Sequence, residues 1–237
     1  MEFEHAVRMS QVAFSWAGVP RFSIEIDAFD VLQGESLFLL GPSGSGKSTL
    51  LNLLCGVTVP ETGHISILNT QIDTLREAAR DRFRAEHFGV IFQMFNLLPY
   101  ASALDNVLLP LTFAPKRKAR TVQDGNGSVR AAALDLLTAL KIDRDQAETG
   151  LASSLSVGQQ QRVAAARALI GRPDIIIADE PTSSLDSEAQ DAFMDMLFSN
   201  LNDTGASLIF VSHDERMASR FDRVVRLADI ARIERGR

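Results

Sequence analysis

The first part of the chain alternates apolar and polar positions with the period of two that is typical of β-strands. A first run places Val12, Phe14 and Trp16 on one face, and a second run covers residues 22–26. Gly18-Val19-Pro20 interrupts the alternation between them. A break of this composition between two strand-like runs predicts an antiparallel pair of strands at the start of the chain.

Shorter apolar runs and helix-like segments alternate along the rest of the chain. The predicted strands cover 37–40, 64–68, 88–92, 174–178 and 208–211, and the predicted helices cover 50–54, 73–85, 104–111, 129–140, 162–170 and 188–200. Strands that alternate with helices are typical of a largely parallel sheet. We therefore expect an α/β fold, with the antiparallel strands as an N-terminal β subdomain.

The stretch 94–150 has a different character, because it carries little strand signal. Ser128 is a suitable N-cap for the helix 129–140, and residues 115–128 are predicted to form a polar loop. We interpret the stretch as part of a helical insertion. The resulting division is a single domain, residues 1–237, with a core formed by 1–93 and 163–237 and a helical subdomain formed by 94–162.

One glycine-rich stretch lies between a predicted strand and a predicted helix. Gly41, Gly44 and Gly46 can adopt positive φ, which allows the backbone to curl around an anion. Amides of such a loop and the dipole of the following helix attract phosphate, Lys47 adds a full charge, and the Ser48 hydroxyl is a hard ligand for Mg²⁺. We interpret this stretch as a phosphate-binding P-loop, which binds a nucleoside triphosphate, rather than as a Gly/Ser-rich connector. The loop residues are Gly41, Pro42, Ser43, Gly44, Ser45, Gly46, Lys47, Ser48 and Thr49.

Composition narrows the classes of function. A net charge of −6 argues against nucleic-acid binding. Cys55 is the only cysteine, which excludes an internal disulfide and suits a reducing compartment. No secretory signal and no apolar run of about 20 residues is evident, so we expect any membrane role to need a partner. The basic cluster 116–120 is interpreted as a solvated loop, or as a contact for anionic lipid headgroups or an acidic partner.

Two carboxylates follow the apolar run 175–178. Ligands of parallel sheets gather at the carboxyl ends of the strands, so we expect Asp179 and Glu180 beside the P-loop. Asp179 can hold Mg²⁺ or a water bound to it, and Glu180 can accept the proton of, or orient, a water that attacks the γ-phosphate. An Asp-Glu pair alone would indicate only a solvated turn, and it is the P-loop that favours a hydrolytic site.

Three further segments accompany the P-loop and the two carboxylates. Residues 155–162 read Leu-Ser-Val-Gly-Gln-Gln-Gln-Arg and open a predicted helix, Gln93 lies where a predicted strand ends, and His213 follows the strand 208–211. In this order and spacing the segments resemble the ATP-binding cassette (ABC) ATPases, over nearly the whole chain. The resemblance implies an ATPase with a P-loop NTPase core that uses ATP and Mg²⁺.

The resemblance also implies a role for each matching position. Ser156, Gly158 and Gln159 match the signature sequence, which completes the nucleotide site of a second ATPase subunit bound head to tail, expected here as a homodimer. Gln93 matches the residue that links Mg²⁺ and the attacking water to the transport subunit, and His213 matches the histidine that contacts the γ-phosphate. The implied catalytic residues are Glu180, His213 and Gln93, and the implied metal ligands are Ser48, Gln93 and Asp179.

Other positions leave alternatives open. Trp16 resembles the aromatic residue that stacks on adenine, but its spacing also fits a core residue beside Phe14. Val157 stands where the family most often has glycine, and because a β-branched residue resists positive φ we expect an ordinary helical or extended backbone there. Ser184-Leu185-Asp186 matches the loop that communicates between the two sites.

The segments 91–99 and 105–111 resemble the lipoprotein-releasing, macrolide-exporting and related bacterial subfamily. Its ATPases transmit force to a membrane permease subunit, which implies a location at the inner face of the plasma membrane. Phe95, Leu97 and Leu98 form either a docking surface for that partner or packing of the helical insertion. We favour the ATPase subunit of a transporter. The alternatives are an ATPase of a non-transporting membrane complex that regulates cell-envelope enzymes or signalling, and a soluble ATPase of DNA repair or translation.

Overall fold

A computed structural model of the protein describes residues 4–17, 22–183 and 185–235. The predicted break at Gly18-Val19-Pro20 and Ser184 of the predicted communication loop lie outside the described residues. The strands are β1 (His5–Trp16), β2 (Phe22–Leu32), β3 (Ser36–Leu40), β4 (Thr62–Ile67), β5 (Thr70–Gln71), β6 (Phe88–Ile91), β7 (Ile175–Asp179), β8 (Ser207–Ser212), β9 (Arg223–Arg226) and β10 (Arg232–Arg235).

The helices lie mainly between β3 and β8. The α-helices are α1 (Lys47–Leu54), α2 (Glu77–His87), α3 (Ala103–Leu108), α4 (Pro115–Asp124), α5 (Val129–Ala139), α6 (Arg144–Thr149), α7 (Val157–Leu169), α8 (Ser187–Thr204) and α9 (Leu227–Ile230). Short 3₁₀ helices cover Ile72–Thr74, Leu109–Thr112, Ala152–Ser154 and Glu215–Arg220.

The chain divides into two compact units: unit 1 comprises residues 1–84 and 207–237, and unit 2 comprises residues 85–206. Unit 1 contains an antiparallel sheet in the order β10-β2-β1-β4-β5, and a parallel group in which β3 pairs with both β8 and β9. The antiparallel pairing of β1 with β2 confirms the prediction from the period-two pattern. Apolar residues such as Val12 and Ile24 are buried, so the alternation does mark the packed face.

Unit 2 pairs β6 with β7 in parallel and packs α3, α5, α6 and α7 around one apolar core. The Ser128 side chain accepts a hydrogen bond from the amide of Ala131 and caps α5, as predicted. The buried core residues are Ala103, Leu104, Val107, Leu111, Ala133, Leu134, Leu137, Leu140, Ile142, Ala147, Leu155, Val163, Ala166 and Ile170.

The parallel strands, the antiparallel N-terminal sheet and the helical segment between β6 and β7 confirm the predicted α/β fold class. Unit 2 contains the whole of the predicted helical subdomain 94–162 together with β6, β7 and α8. The limits of that subdomain stay a prediction.

The polar loop predicted for residues 115–128 is wrong in its first part, because Pro115–Asp124 forms α4. Proline suits the first turn of a helix, and the Lys and Arg residues after it are good helix formers. The segment has no apolar stripe because polar residues occupy its buried face. Arg117 and Thr121, four positions apart, are only 2% and 1% exposed. The turn itself is confined to 125–127.

The solvated interpretation of the basic cluster 116–120 is wrong at its centre, Arg117. Burial lowers the pKa of Arg117 to about 10, a value at which the guanidinium still carries its charge at neutral pH. A buried charge needs hydrogen-bond partners, and here they are backbone carbonyls rather than solvent or lipid. The guanidinium donates to the carbonyl oxygens of Ala85, Phe88, Ala168 and Ile170, at 2.5–3.1 Å.

We expect Arg117→Met to lower the free energy of unfolding by about 3 kcal/mol or more, because each buried carbonyl that loses its donor costs roughly 1–3 kcal/mol. Urea unfolding of the full chain measures the change. Lys118→Met, at an exposed position of the same helix, is the control and should stay within about 0.5 kcal/mol of wild type. Equal stability of the two variants would contradict the anchoring role of Arg117.

Candidate nucleotide-binding site

The loop 41–49 follows β3 within unit 1 and includes the first three residues of α1, in the strand–loop–helix order that the sequence predicts. Gly44 and Gly46 have φ angles of 74° and 98°, in the left-handed region that favours glycine. A β-carbon at Gly46 would also lie 3.0 Å from the Phe22 ring. Both the backbone angle and the close contact therefore require glycine at the residue that precedes α1.

Gly41 is required for a different reason from the one predicted. Its φ lies outside the left-handed region, so the expectation of positive φ is wrong at this position. A β-carbon there would lie 2.7 Å from Oγ of Ser45, because the loop returns over its own start. That Ser45 Oγ is buried and has no hydrogen-bond partner within the described residues. A buried hydroxyl in this state is typical of a group that bonds to a ligand.

Lys47 places a positive charge inside the loop. Its side chain is only 6% exposed, and Nζ donates to the carbonyl oxygens of Gly41 at 2.6 Å and Pro42 at 3.0 Å. Two carbonyls thus stabilise an ammonium group that has left water. Ser48, the next residue, is exposed. A buried cation within a glycine-rich turn at a helix N-terminus suits a polyphosphate anion.

Trp16 lies at the far end of the same loop. Its indole Nε1 donates to Oγ1 of Thr49 at 3.2 Å, and its ring meets Phe14 edge-on with 4.9 Å between centroids. The side chain is 42% exposed, which does not suit the alternative of a core residue. An exposed aromatic ring tethered to the phosphate-binding loop is well placed for stacking on a nucleotide base.

His213 also belongs to unit 1. It follows β8 directly and is exposed, and the parallel pairing of β3 with β8 sets Leu40 beside Ser212, so the P-loop and His213 leave neighbouring strand ends. A cavity of about 790 Å³ is lined by both, including Gly41 and His213. The next residue, Asp214, receives hydrogen bonds from the Arg216 side chain, which lower its pKa and keep it ionised. Unit 1 therefore brings the predicted γ-phosphate histidine to the predicted phosphate loop.

Asp179 is the last residue of β7 in unit 2, and Glu180 follows it directly. Glu180 is 8% exposed and has a φ of 44°, a left-handed conformation that costs a non-glycine residue roughly 1–3 kcal/mol. The following Pro181 carbonyl accepts a hydrogen bond from Gln161 of α7 at 2.9 Å. Backbone strain held in place by packing is common at catalytic positions.

The signature segment begins α7 with a complete capping box. The Ser156 side chain accepts from the amide of Gln159, and the Gln159 side chain accepts from the amide of Ser156. Val157 is the first residue of the helix and does not have positive φ, which confirms the conformation expected for a β-branched residue. Gly158 has ordinary φ too, and only Arg162 would approach a β-carbon there, at 3.6 Å.

Comparison with known proteins decides the family. A family model described as ABC transporter matches residues 25–183. The chain belongs to the ABC transporter family. It is 42% identical to the uncharacterized ABC transporter ATP-binding protein YbbA of Escherichia coli, over 84% of this chain and 83% of that one. It is 36% identical to the lipoprotein-releasing system ATP-binding protein LolD of Francisella tularensis, with 84% and 83% covered.

Solved structures of ABC cassettes have the same fold. The dimeric post-hydrolysis state of the cassette MJ0796 bound to ADP and Pi superimposes with a TM-score of 0.79, at 34% identity and with 98% of this chain and 99% of that one covered. CbiO1 of Clostridium perfringens, part of the transporter complex cbiONQ, shares the fold with a TM-score of 0.75 at 24% identity, over 94% of this chain and 84% of that one.

The resemblance predicted from the motifs is thus confirmed. This ABC cassette is an ATP-binding and ATP-hydrolysing transporter subunit. The alternative of an ATPase in a non-transporting regulatory complex is not favoured. Across the described ranges 4–17, 22–183 and 185–235, no helix combines the length and the apolar character needed to cross a bilayer.

Arg167 supports the segment that follows Gln93, and the motifs do not identify it. Gln93 is exposed just after β6, and the residues that follow it, Phe95 and Asn96, have φ angles of 58° and 49°. The Arg167 guanidinium, on α7, donates to both carbonyls at 2.5 and 2.6 Å, and burial lowers its pKa. The available signal was an arginine among the alanines in the second half of α7. Arg167 fixes the strained segment beside Gln93.

The docking role expected for Phe95, Leu97 and Leu98 is not supported for the first two. Phe95 is 8% exposed and Leu97 packs against the core of unit 2, so these residues follow the packing alternative. The exposed apolar residues of this stretch are instead Phe92 at 41%, Met94 at 80% and Tyr100 at 74%.

The predicted donors suit Mg²⁺ by their chemistry. Ser48 offers a hydroxyl oxygen in unit 1, and Gln93 and Asp179 offer amide and carboxylate oxygens in unit 2. Mg²⁺ prefers oxygen ligands and retains several waters, so a few protein oxygens suffice.

We expect ATP to change the fluorescence of Trp16, the only tryptophan in this ABC cassette, because the base stacks on its ring. Lys47→Ala should abolish the saturable change. In calorimetric titrations Trp16→Ala should lose about 5- to 150-fold in affinity, since base stacking contributes about 1–3 kcal/mol. Unchanged affinity in Trp16→Ala would indicate that Trp16 has a structural role only. Unchanged affinity in Lys47→Ala would contradict the P-loop assignment.

Proposed function

We propose that this cassette works as one of two ATPase subunits that bind ATP head to tail and drive a membrane permease. The observation that carries the proposal is the exposed start of α7. Val157 is 50% exposed, and Gly158 has room for a side chain within its own chain. Nothing in the described chain requires glycine at position 158, which supports a close approach by a group from outside the chain.

Unit 1 supplies the groups that contact the phosphates and the base of the nucleotide. Lys47 and the loop amides bind the β- and γ-phosphates, and Trp16 stacks on adenine. Oxygens of Ser48, Gln93 and Asp179 would hold Mg²⁺, which offsets the charge of the phosphates when bound. The hard oxygen donors and the buried Lys47 ammonium support this assignment.

Hydrolysis depends on two groups that flank strand ends. The Glu180 carboxylate accepts the proton of the attacking water or orients it, a role worth roughly 10²- to 10⁴-fold in rate. The His213 ring contacts the γ-phosphate. Support comes from the strained backbone of Glu180 and from the cavity that His213 shares with the P-loop.

The signature segment completes the site of the partner subunit. The Ser156 hydroxyl and the N-terminal amides of α7 face the γ-phosphate on the opposite P-loop, where the helix dipole favours an anion. Gln159 holds Ser156 in the capping box and also donates to the Gln146 side chain at 2.9 Å, so its role is to fix the helix start. ATP is then the ligand that joins the two chains.

The permease partner is of the lipoprotein-releasing and macrolide-exporter type. Similarity to LolD over 84% of the chain supports this subfamily. Met94, Tyr100 and Phe113 are 80%, 74% and 66% exposed, and they supply an apolar surface for a partner segment. The cassette would sit at the inner face of the plasma membrane through this contact.

We expect Glu180→Gln to bind ATP while hydrolysing it at least about 100-fold more slowly, because the amide cannot accept a proton from water. Size-exclusion chromatography with MgATP should then show a stable dimer. Glu188→Gln, at an exposed position of α8, is the control and should keep the wild-type rate. Wild-type hydrolysis by Glu180→Gln would show that another group activates the water.

We expect Gly158→Ala to leave folding and nucleotide affinity unchanged while hydrolysis falls at least about tenfold. The added methyl has room in its own chain, but it would push away the opposing phosphate, and a shift of about 1 Å can cost up to about 100-fold in rate. Thermal unfolding, calorimetry and phosphate release measure the three quantities. Ser153→Ala, in the exposed turn before α7, is the control. Full activity of Gly158→Ala would contradict the proposal that the signature segment completes the nucleotide site of the partner subunit.

A further inference from the structure

The last strand of the chain brings a cation to the phosphate-binding loop. In the antiparallel sheet of unit 1, Arg235 of β10 lies opposite Phe22 of β2, and Phe22 lies opposite Trp16 of β1. Directly opposed residues of neighbouring strands point to the same face of a sheet. Trp16, Phe22 and Arg235 therefore form one row of side chains across three strands.

Each member of this row meets a successive part of the loop 41–49. Trp16 donates to Thr49, and the Phe22 ring lies 3.0 Å from a β-carbon built at Gly46. A β-carbon built at Gly44 would lie 3.5 Å from Nη2 and 3.8 Å from Nη1 of Arg235. The two terminal nitrogens approach Gly44, so the donor end of the guanidinium fork faces the loop.

No ion pair among the described residues neutralises this cation. The Arg235 side chain is exposed, and it forms no ion pair or hydrogen bond with any residue in the described part of the chain. Three carboxylates share a neighbouring cavity with it, those of Glu25, Glu61 and Glu234, and the first two have other partners. Glu25 pairs with Arg232 at 3.4 Å, and Glu61 accepts from the amide of Ser15 at 3.2 Å.

We propose that Arg235 is a nucleotide-binding residue whose guanidinium contacts the phosphate chain of bound ATP. The inference rests on ATP binding by the loop 41–49. It adds a second side-chain cation to the one that Lys47 supplies inside that loop. A planar fork of N–H donors matches phosphate oxygens, and a group at the rim of the site remains accessible to an entering nucleotide. The C-terminal strand thereby becomes part of the nucleotide site.

The test compares Arg235→Gln with Arg232→Gln in the full chain. Arg232 lies on the same strand and is exposed, but it points to the opposite face and pairs with Asp27 at 3.0 Å. The probe is the Mg²⁺ complex of β,γ-imido-ATP, which is not hydrolysed, titrated by calorimetry. We expect Arg235→Gln to weaken binding about three- to tenfold, the range between an exposed ion pair and a charge-assisted hydrogen bond. Arg232→Gln should bind like wild type.

Two further measurements identify the contact as one to phosphate. Arg235→Lys keeps the charge without the fork and should recover part of the lost affinity. The deficit of Arg235→Gln should also shrink towards about 1 M salt, where the Debye length is about 3 Å. Wild-type affinity in Arg235→Gln, an equal loss in Arg232→Gln, or a deficit that salt does not change would each overturn the proposal. Undiminished binding by Lys47→Ala would instead overturn nucleotide binding by the loop, so the two failures are distinguishable.

Discussion

The hydrogen bonds from the Lys47 ammonium to the carbonyls of Gly41 and Pro42 hold a positive charge within a tight turn of the backbone. Such a charge is stable away from water only when oxygen atoms surround it. This requirement fixes the turn: β3 must end at Leu40, the chain must return over Gly41, and α1 must begin directly after Gly46. The nucleotide site depends on this arrangement, because the same turn presents the Lys47 charge and the helix N-terminus to one anion.

Unit 2 also stabilises buried cations by hydrogen bonds to backbone carbonyls, at two places. Arg117 is 2% exposed and donates to carbonyls at the α2–β6 junction and at the end of α7. Arg167 is 9% exposed and donates to the carbonyls of Phe95 and Asn96, just after Gln93. Both guanidinium groups donate to carbonyl oxygens, because a planar fork can reach several of them. The carboxylates of Glu86 and Asp174 add Coulombic attraction to the Arg117 charge. The hydrogen bonds of Arg117 hold α4 in place, and those of Arg167 fix the segment next to Gln93, a proposed catalytic residue.

The groups that would contact ATP fall into two sets. One set surrounds the P-loop, and the other lies at an exposed helix start. Lys47, Trp16 and His213 are gathered by unit 1 around the P-loop. Ser156 and Gly158 lie at the exposed start of α7, and no close contact within the described chain requires glycine at position 158. Under the proposed function, a site divided in this way would make ATP both the substrate and the link between the subunits, and its binding energy would perform work on a permease.

The sequence by itself determined the P-loop, the Asp179-Glu180 strand end, the capped signature helix and the antiparallel start of the sheet. These features depend on residues close together along the chain, where spacing alone decides geometry: Ser156 and Gln159 cap a helix because they are three positions apart. Only the tertiary structure decided that residues 115–124 form a helix, that Arg117 is buried, and that Arg235 lies at Gly44. The partners of Arg117 come from residues 85–88 and 168–170, and they are carbonyl groups, which every residue carries. A pattern of side chains cannot identify such acceptors, because nothing in the side chains distinguishes the residues that supply them.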